Sequence, residues 1–466
     1  MAIELRKHGI GDFIILEKAA AVGGTWRENT YPGVACDVPS HVYSFSFELN
    51  PDWSHAFSGG EEIRAYCERC VERYGLTPHL QFNAEVQTLV FDGSHWKVSL
   101  KDGRRLSADL VVSGLGGLHR PNHAAIDGRE SFAGRVFHTA EWDHGHDLTD
   151  RKVAIIGTGA STAQVLPSIA PDVAEVTVFQ RSAAWVFPRM AREITPARRE
   201  RYRRFPLLMR LHRWLIWLVM DALGTLSLRR GSALHARIER RARAFLESEV
   251  RDPEIRRQLT PDYAAGCKRR CISDDYLASF NRPNVHLVTE AITRIEETGI
   301  RDASGKLHEV DTIVEATGFR PFDIHEYVDI RGRDGIRLQD QWRERVESYR
   351  TVMAPGFPNF FMLLGPNSAT GHTSALIMIE SQARFVIRCL NLLTARGARH
   401  VEPTADATRK FNFRIQRDMQ KMVFSGGCNA WYTDENDHNY TLWPYSAMRF
   451  CAEFLHLKPE ELKTDR

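Results

Sequence analysis

The segment Lys152-Val-Ala-Ile-Ile-Gly157-Thr-Gly159-Ala-Ser-Thr162 constrains the fold most, because it reads as a buried strand entering a glycine turn and then a helix. Gly157 permits the tight turn, and Gly159 lets the backbone approach a pyrophosphate at the helix N-terminus. Thr162 occupies the third glycine position of the G-x-G-x-x-G pattern. A second β-rich run follows, Val176-Thr-Val-Phe-Gln-Arg181-Ser182. A carboxylate ending this strand would bind the ribose 2′-hydroxyl of NAD, whereas Arg181 suits the 2′-phosphate of NADP. The plainer alternative is a solvated arginine at a strand end. The pairing predicts a βαβ unit that takes NADPH.

An internal repeat extends the argument. Asp109-Leu-Val-Val-Ser-Gly-Leu-Gly116 lies over Asp311-Thr-Ile-Val-Glu-Ala-Thr-Gly318 without a gap, and each follows a hairpin signal, at Asp102-Gly103 and Ser304-Gly305. Two such units predict an α/β fold with two dinucleotide-binding, Rossmann-like domains. Between about 190 and 260 the strand signals give way to arginine- and leucine-rich segments, which predict a helical insertion. Phe13-Ile-Ile-Leu-Glu17-Lys18 reads as another strand, whose terminal acid would bind an adenosine ribose. That strand should be the second of its unit. Met1 to His8 instead forms an amphipathic pattern closed by Gly9, so the chain begins inside the crossover helix. The first strand and its glycine loop are therefore expected to be missing, either because the start lies upstream or because the product is damaged. Several buried side chains would go with them, each contributing about 1.5–3 kcal/mol.

Composition narrows the partners. With 62 basic and 59 acidic residues among 466, the formal charge of +3 gives no case for nucleic acid. Eight cysteines are too few for a disulfide scaffold, and the chain reads as reduced and cytoplasmic. Cys67 and Cys70 share one face of a helical pattern, with no partner motif of metal-site spacing. The longest apolar stretch, Leu211 to Leu228, carries His212, Arg213 and Asp221, too many charges for a transmembrane segment. A buried or half-exposed helix is favoured over one with weak membrane-surface contact.

Two motifs then point to a family. Gly23-Gly24-Thr25-Trp26 through Tyr31-Pro32-Gly33 to Asp37 matches [AG]GxWxxxx[FY]P[GM]xxxD, and Phe132-Ala-Gly134 through His138 to Trp142-Asp143 matches FxGxxxHxxxW[PD]. The chain resembles the flavin-containing Baeyer–Villiger monooxygenases over nearly its whole length. The ending Trp142-Asp143 separates it from the related N- and S-oxygenating flavin enzymes. The resemblance implies an FAD domain beginning in 1–145, an NADP domain in 146–324 and a flavin-domain return in 325–466 that includes Gly365–His372 and the helical Ile377–Arg384. It implies that Glu17 binds the FAD ribose, that Thr25, Trp26, Asp37 and Tyr43 line the flavin, and that Val86 lies near the adenine. Gly157, Thr158, Gly159, Ala160, Ser161, Thr162 and Gln164 would wrap the NADP pyrophosphate, with Arg181, Ser182 and Lys268 on the 2′-phosphate. Arg269 occupies the place of the family's catalytic arginine, oriented by Asp37, and His138 is expected to act at a hinge.

The implied reaction uses NADPH, FAD and O2 to insert one oxygen beside the carbonyl of a small lipophilic ketone, giving an ester or lactone. The alternatives are N- or S-oxygenation, which products from ketone and thioether would separate, and a truncated, non-catalytic NADP-binding remnant, which would be colourless and unable to take up FAD.

Overall fold

The computed structural model describes residues 1–320, 327–428, 430–433 and 438–465. The expected boundary at 324 and residues 434–437 of the aromatic C-terminal stretch lie outside them. The chain opens with α1 (Ala2–Lys7), followed by Gly9 at φ +75°, and β1 (Ile15–Leu16). Helices α2 (Thr25–Glu28) and α3 (Gly60–Arg73) lead to β2 (Leu80–Gln81). An antiparallel meander, β3 (Val86–Phe91), β4 (Trp96–Leu100) and β5 (Arg105–Ala108), then precedes β6 (Val111–Ser113). Next come β7 (Arg135–His138), β8 (Lys152–Ile156), α4 (Ala160–Ile169), β9 (Glu175–Phe179) and β10 (Val186–Phe187). The expected insertion is α5 (Pro196–Arg204), α6 (Pro206–Ser227), α7 (Ala233–Glu249) and α8 (Pro253–Gln258).

After β11 (Cys271–Ile272), α9 (Tyr276–Ser279) and β12 (Val285–Val288), a second meander of β13 (Ile292–Glu296), β14 (Gly299–Asp302) and β15 (Leu307–Glu309) delivers β16 (Thr312–Glu315). The remainder comprises β17 (Asp329–Arg331), α10 (Leu338–Trp342), β18 (Phe360–Met362), α11 (Ala375–Arg396), β19 (His400–Pro403), α12 (Ala405–Met419), α13 (Ala447–Glu453) and β20 (Leu462–Asp465).

The repeat read from the sequence is therefore a meander followed by a parallel strand, made twice. The second copy completes a five-stranded parallel sheet ordered β12-β9-β8-β16-β7. Its strands read as continuous apolar runs because both faces are covered. Val153, Ile155 and Val178 pack with Ala163 and Leu166 of α4 on one face. Ala154, Phe179 and Ile313 pack with Ile295 and Ile300 of the second meander on the other. The first copy differs. Strand β6 pairs with β18, and β1 pairs with β2, as two separate two-stranded pieces, and β1 and β6 are only half-buried.

Helix α6 is apolar yet largely exposed, and among the described residues no helix is long and apolar enough to cross a membrane. The expectation of a fully reduced chain fails at one pair, since Cys267 is disulfide-bonded to Cys428 across 161 residues of sequence. Only the tertiary fold brings these two together, so no local spacing announces them. Cys67 and Cys70 remain thiols on α3, where burial pushes their pKa values up to about 12 and about 11.

Candidate active site

The turn between β8 and α4 is built for a close approach. A Cβ on Gly157, whose φ is +122°, would lie 2.4 Å from the carbonyl oxygen of Ala316, whereas one on Gly159 would meet nothing within 4 Å. The start of α4 therefore opens onto free space, and its N-cap, Gly159, supplies no side-chain hydrogen bond. The helix N–H groups through Ala160 and Ser161 are left for an external anion. Thr158 Oγ1 donates to the Ser182 carbonyl at 2.8 Å, fixing the turn against the end of β9. Thr162 is buried and returns its hydroxyl to the Gly157 carbonyl at 2.9 Å. The Gln164 carboxamide is engaged elsewhere. It accepts from Tyr31 Oη at 3.0 Å and donates to the Ala35 carbonyl at 3.0 Å, tying α4 to the loop of the first motif. The same contact accounts for Gly33, where a Cβ would lie 2.3 Å from Ser168 Oγ.

Beyond β9, Arg181 is exposed, and Lys268 Nζ donates to Ser182 Oγ at 2.9 Å. Burial, and then the neighbouring Arg181, lower the Lys268 pKa. Two adjacent cations and a hydroxyl form a donor set that fits a phosphate dianion.

On the other side, Glu17 directly follows β1, where its carboxylate accepts from the Ala19 N–H at 3.0 Å and sits 3.5 Å from Arg27. Ala84 N–H reaches the Glu17 carbonyl at 2.9 Å, which sets Val86 at the start of the neighbouring β3. Trp26 Nε1 donates to Tyr43 Oη at 3.1 Å with the rings edge to face, and Thr25 Oγ1 donates to the Leu118 carbonyl at 3.3 Å. A carboxylate for a ribose diol and an ordered aromatic pair fit the ribose and ring ends of FAD.

Three consecutive basic residues leave the 266–270 turn in three directions. Lys268 reaches Ser182, Arg270 turns back to Ser227 Oγ at 3.1 Å, and Arg269 meets Asp37. Arg269 Nε lies 3.2 Å from Asp37 Oδ2, and Nη2 contacts the same oxygen. The two side chains keep 42% and 23% of their exposure, so the pair faces open space rather than core. Asp37 raises the Arg269 pKa above its ordinary value, while burial lowers that of Arg270 to about 10. Cys267 sits within this turn, and its disulfide with Cys428 ties the turn to the segment carrying Tyr432, whose ring is buried. Neither Tyr432 nor Cys267 was marked by any sequence motif.

The second motif is held by packing and ion-pair contacts. A Cβ on Gly134 would lie 2.2 Å from the Asp311 carbonyl, so only glycine lets β7 join β16. Phe132 lies in the core beneath the second meander, Trp142 packs edge-on to Phe137, and Asp143 pairs with Arg135 at 3.0 Å. His138 is buried, and burial, with His123 adding to it, lowers its pKa to about 4. Its ring stacks edge-on to His123 and Phe319. The segments carrying these two rings pair with each other through Asn122 N–H to the Gly318 carbonyl at 2.9 Å.

A family model described as pyridine nucleotide-disulphide oxidoreductase matches residues 1–207. A Baeyer-Villiger monooxygenase of Streptomyces coelicolor is 42% identical over 458 residues, covering 97% of this chain and 88% of the relative. An oxidized steroid monooxygenase bound to NADP superposes with a TM-score of 0.88 at 26% identity, covering 99% of this chain and 96% of that one. A cyclohexanone monooxygenase bound to epsilon-caprolactone gives a TM-score of 0.87 at 26% identity, covering 100% and 96%. With both motifs, the paired arginine and these relatives in agreement, the chain belongs to the Baeyer–Villiger monooxygenase family.

Proposed function

We infer that Arg269 is the catalytic residue of this protein and that Asp37 is the positioning residue behind it. The protein is a flavoprotein monooxygenase that uses FAD, NADPH and O2 to place one oxygen atom beside a ketone carbonyl, giving an ester or lactone. Bound FAD, reduced by NADPH, supplies the activated oxygen, because no side chain here activates O2 by itself.

The chain's own residues contribute position and charge. Arg181, Ser182 and Lys268 would hold the 2′-phosphate of NADP, with its pyrophosphate at the open start of α4. Glu17 would hold the FAD ribose, while Thr25, Trp26 and Tyr43 would line the ring system. As a ketone carbon is attacked, negative charge grows on oxygen. A guanidinium already oriented by a carboxylate meets that charge without reorganising. Its proton stays in place at any working pH, and Asp37 strengthens that hold. The observation that carries this reading is a paired yet open guanidinium, next in the chain to the lysine that reaches Ser182.

Flavin-loaded protein incubated with NADPH, air, a cyclic ketone and an aryl thioether should give the lactone. Sulfoxide as the sole oxygenated product would move the chain to the N- and S-oxygenating enzymes.

A further inference from the structure

We propose that the outer face of α6 docks on an anionic phospholipid surface, with the helix lying in the plane of the membrane. Its 22 residues extend about 33 Å. The inner face is fastened to the protein. Asp221 is buried and accepts from Ala447 N–H at 2.6 Å, from Met448 N–H at 2.9 Å and from His372 at 2.9 Å. Arg213 donates to the Ser44 carbonyl at 3.2 Å, and a Cβ on Gly224 would lie 2.5 Å from His372.

The outer face inverts the usual arrangement. Leu207, Leu211, Leu215, Val219, Leu223 and Leu226 recur at three- and four-residue spacing and are 47% to 75% exposed. Phe205 and Trp214 add aromatic rings, 52% and 50% exposed, of the kind that settle at headgroup level. A contiguous apolar stripe of this sort marks an interaction surface.

Charge selects the occupant. From 201 to 230 the sequence holds seven arginines and a single acid, the inward-turned Asp221. Arg201 and Arg204 stand exposed at one end of the stripe, where Arg203 is paired with Asp52 and Glu200, and Arg229 and Arg230 stand exposed at the other. A second copy using the same face would bring arginine clusters together in either orientation. A planar anionic surface satisfies both ends at once, and an apolar face rimmed by arginine is the composition of an interfacial helix.

The test is co-sedimentation of the full chain with vesicles of phosphatidylcholine alone and of phosphatidylcholine mixed with phosphatidylglycerol. The paired substitution Leu211→Ser and Leu215→Ser changes only exposed positions, and Arg201→Gln with Arg229→Gln reports on charge separately. Binding to the mixed vesicles is expected, falling about tenfold or more in the leucine pair and about fivefold for each arginine neutralised. Absence of binding, equal binding to neutral vesicles, or binding unaltered by both variant pairs overturns the proposal. A parent chain that forms a dimer undone by the leucine pair assigns the face to a second copy and overturns it too.

Discussion

Replacing Lys268 with glutamine separates the nucleotide's phosphate from the rest of the site. The ammonium lies 2.9 Å from Ser182 Oγ, beside exposed Arg181, and its pKa is lowered by burial and by that arginine. Without a nucleotide, two like charges face each other, and a 2′-phosphate dianion relieves the repulsion. A hydrogen bond to a charged group contributes about 1.5–3 kcal/mol, so Lys268→Gln should raise the KM for NADPH roughly ten- to a hundredfold. NADH carries no such phosphate, and its KM should stay where it is. The interaction is made equally before and during reaction, so kcat at saturating NADPH should hold. On the proposed assignment the lysine would bind phosphate only while protonated, so the KM for NADPH should climb as pH rises through its lowered pKa, and the variant should lose that climb. Steady-state oxidation of both nucleotides by flavin-loaded protein across pH measures all of this. An equal loss with NADH and NADPH would refute the phosphate assignment.

Three further substitutions probe the frame. Gly134→Ala would place a methyl 2.2 Å from the Asp311 carbonyl and should cost about 1–3 kcal/mol, read as a lower Tm; an unchanged Tm contradicts the close approach of β7. Asp221→Leu strands His372 and two helix N–H groups and should cost about 3–5 kcal/mol in urea denaturation. The Asp221 pKa is pushed up by burial but brought below its ordinary value by His372 and those N–H groups. Its stabilisation should therefore be complete above the usual carboxyl range and fade as pH falls through the depressed value, a fade absent from the variant. Cys267→Ser opens a 161-residue link and should cost about 2–4 kcal/mol, a loss that reductant reproduces in the parent and leaves unchanged in the variant.

The β8–α4–β9 unit was legible because its signals are local: an apolar run, two glycines at fixed offsets, an arginine at the next strand end. The duplicated hairpin and following strand were legible for the same reason, while the remaining strand of each meander carried no turn signal that was read. Contacts distant in sequence were not. Gln164 looks like part of a phosphate turn, yet its carboxamide binds Tyr31 and Ala35. Gly33 and Gly134 could be read only as motif letters, since the backbone each nearly touches lies far along the chain. Asp221 argued correctly against a spanning helix, but nothing local told which way it turns. Facing inward to His372, it leaves the leucines outside. Lys268, Arg269 and Arg270 could not be told apart by type, and their distinct targets come from the turn that carries them.

Arg269 is proposed to stabilise the charge that grows in the oxygen-insertion step. The most direct measurement follows NADPH oxidation and ester formation together, in flavin-loaded parent and Arg269→Ala. Removing one such donor should lower the rate of ester formation by about a hundred- to a thousandfold while NADPH oxidation continues. Ester formed by the variant in the parent's ratio to NADPH consumed, at the parent's rate, would contradict the account.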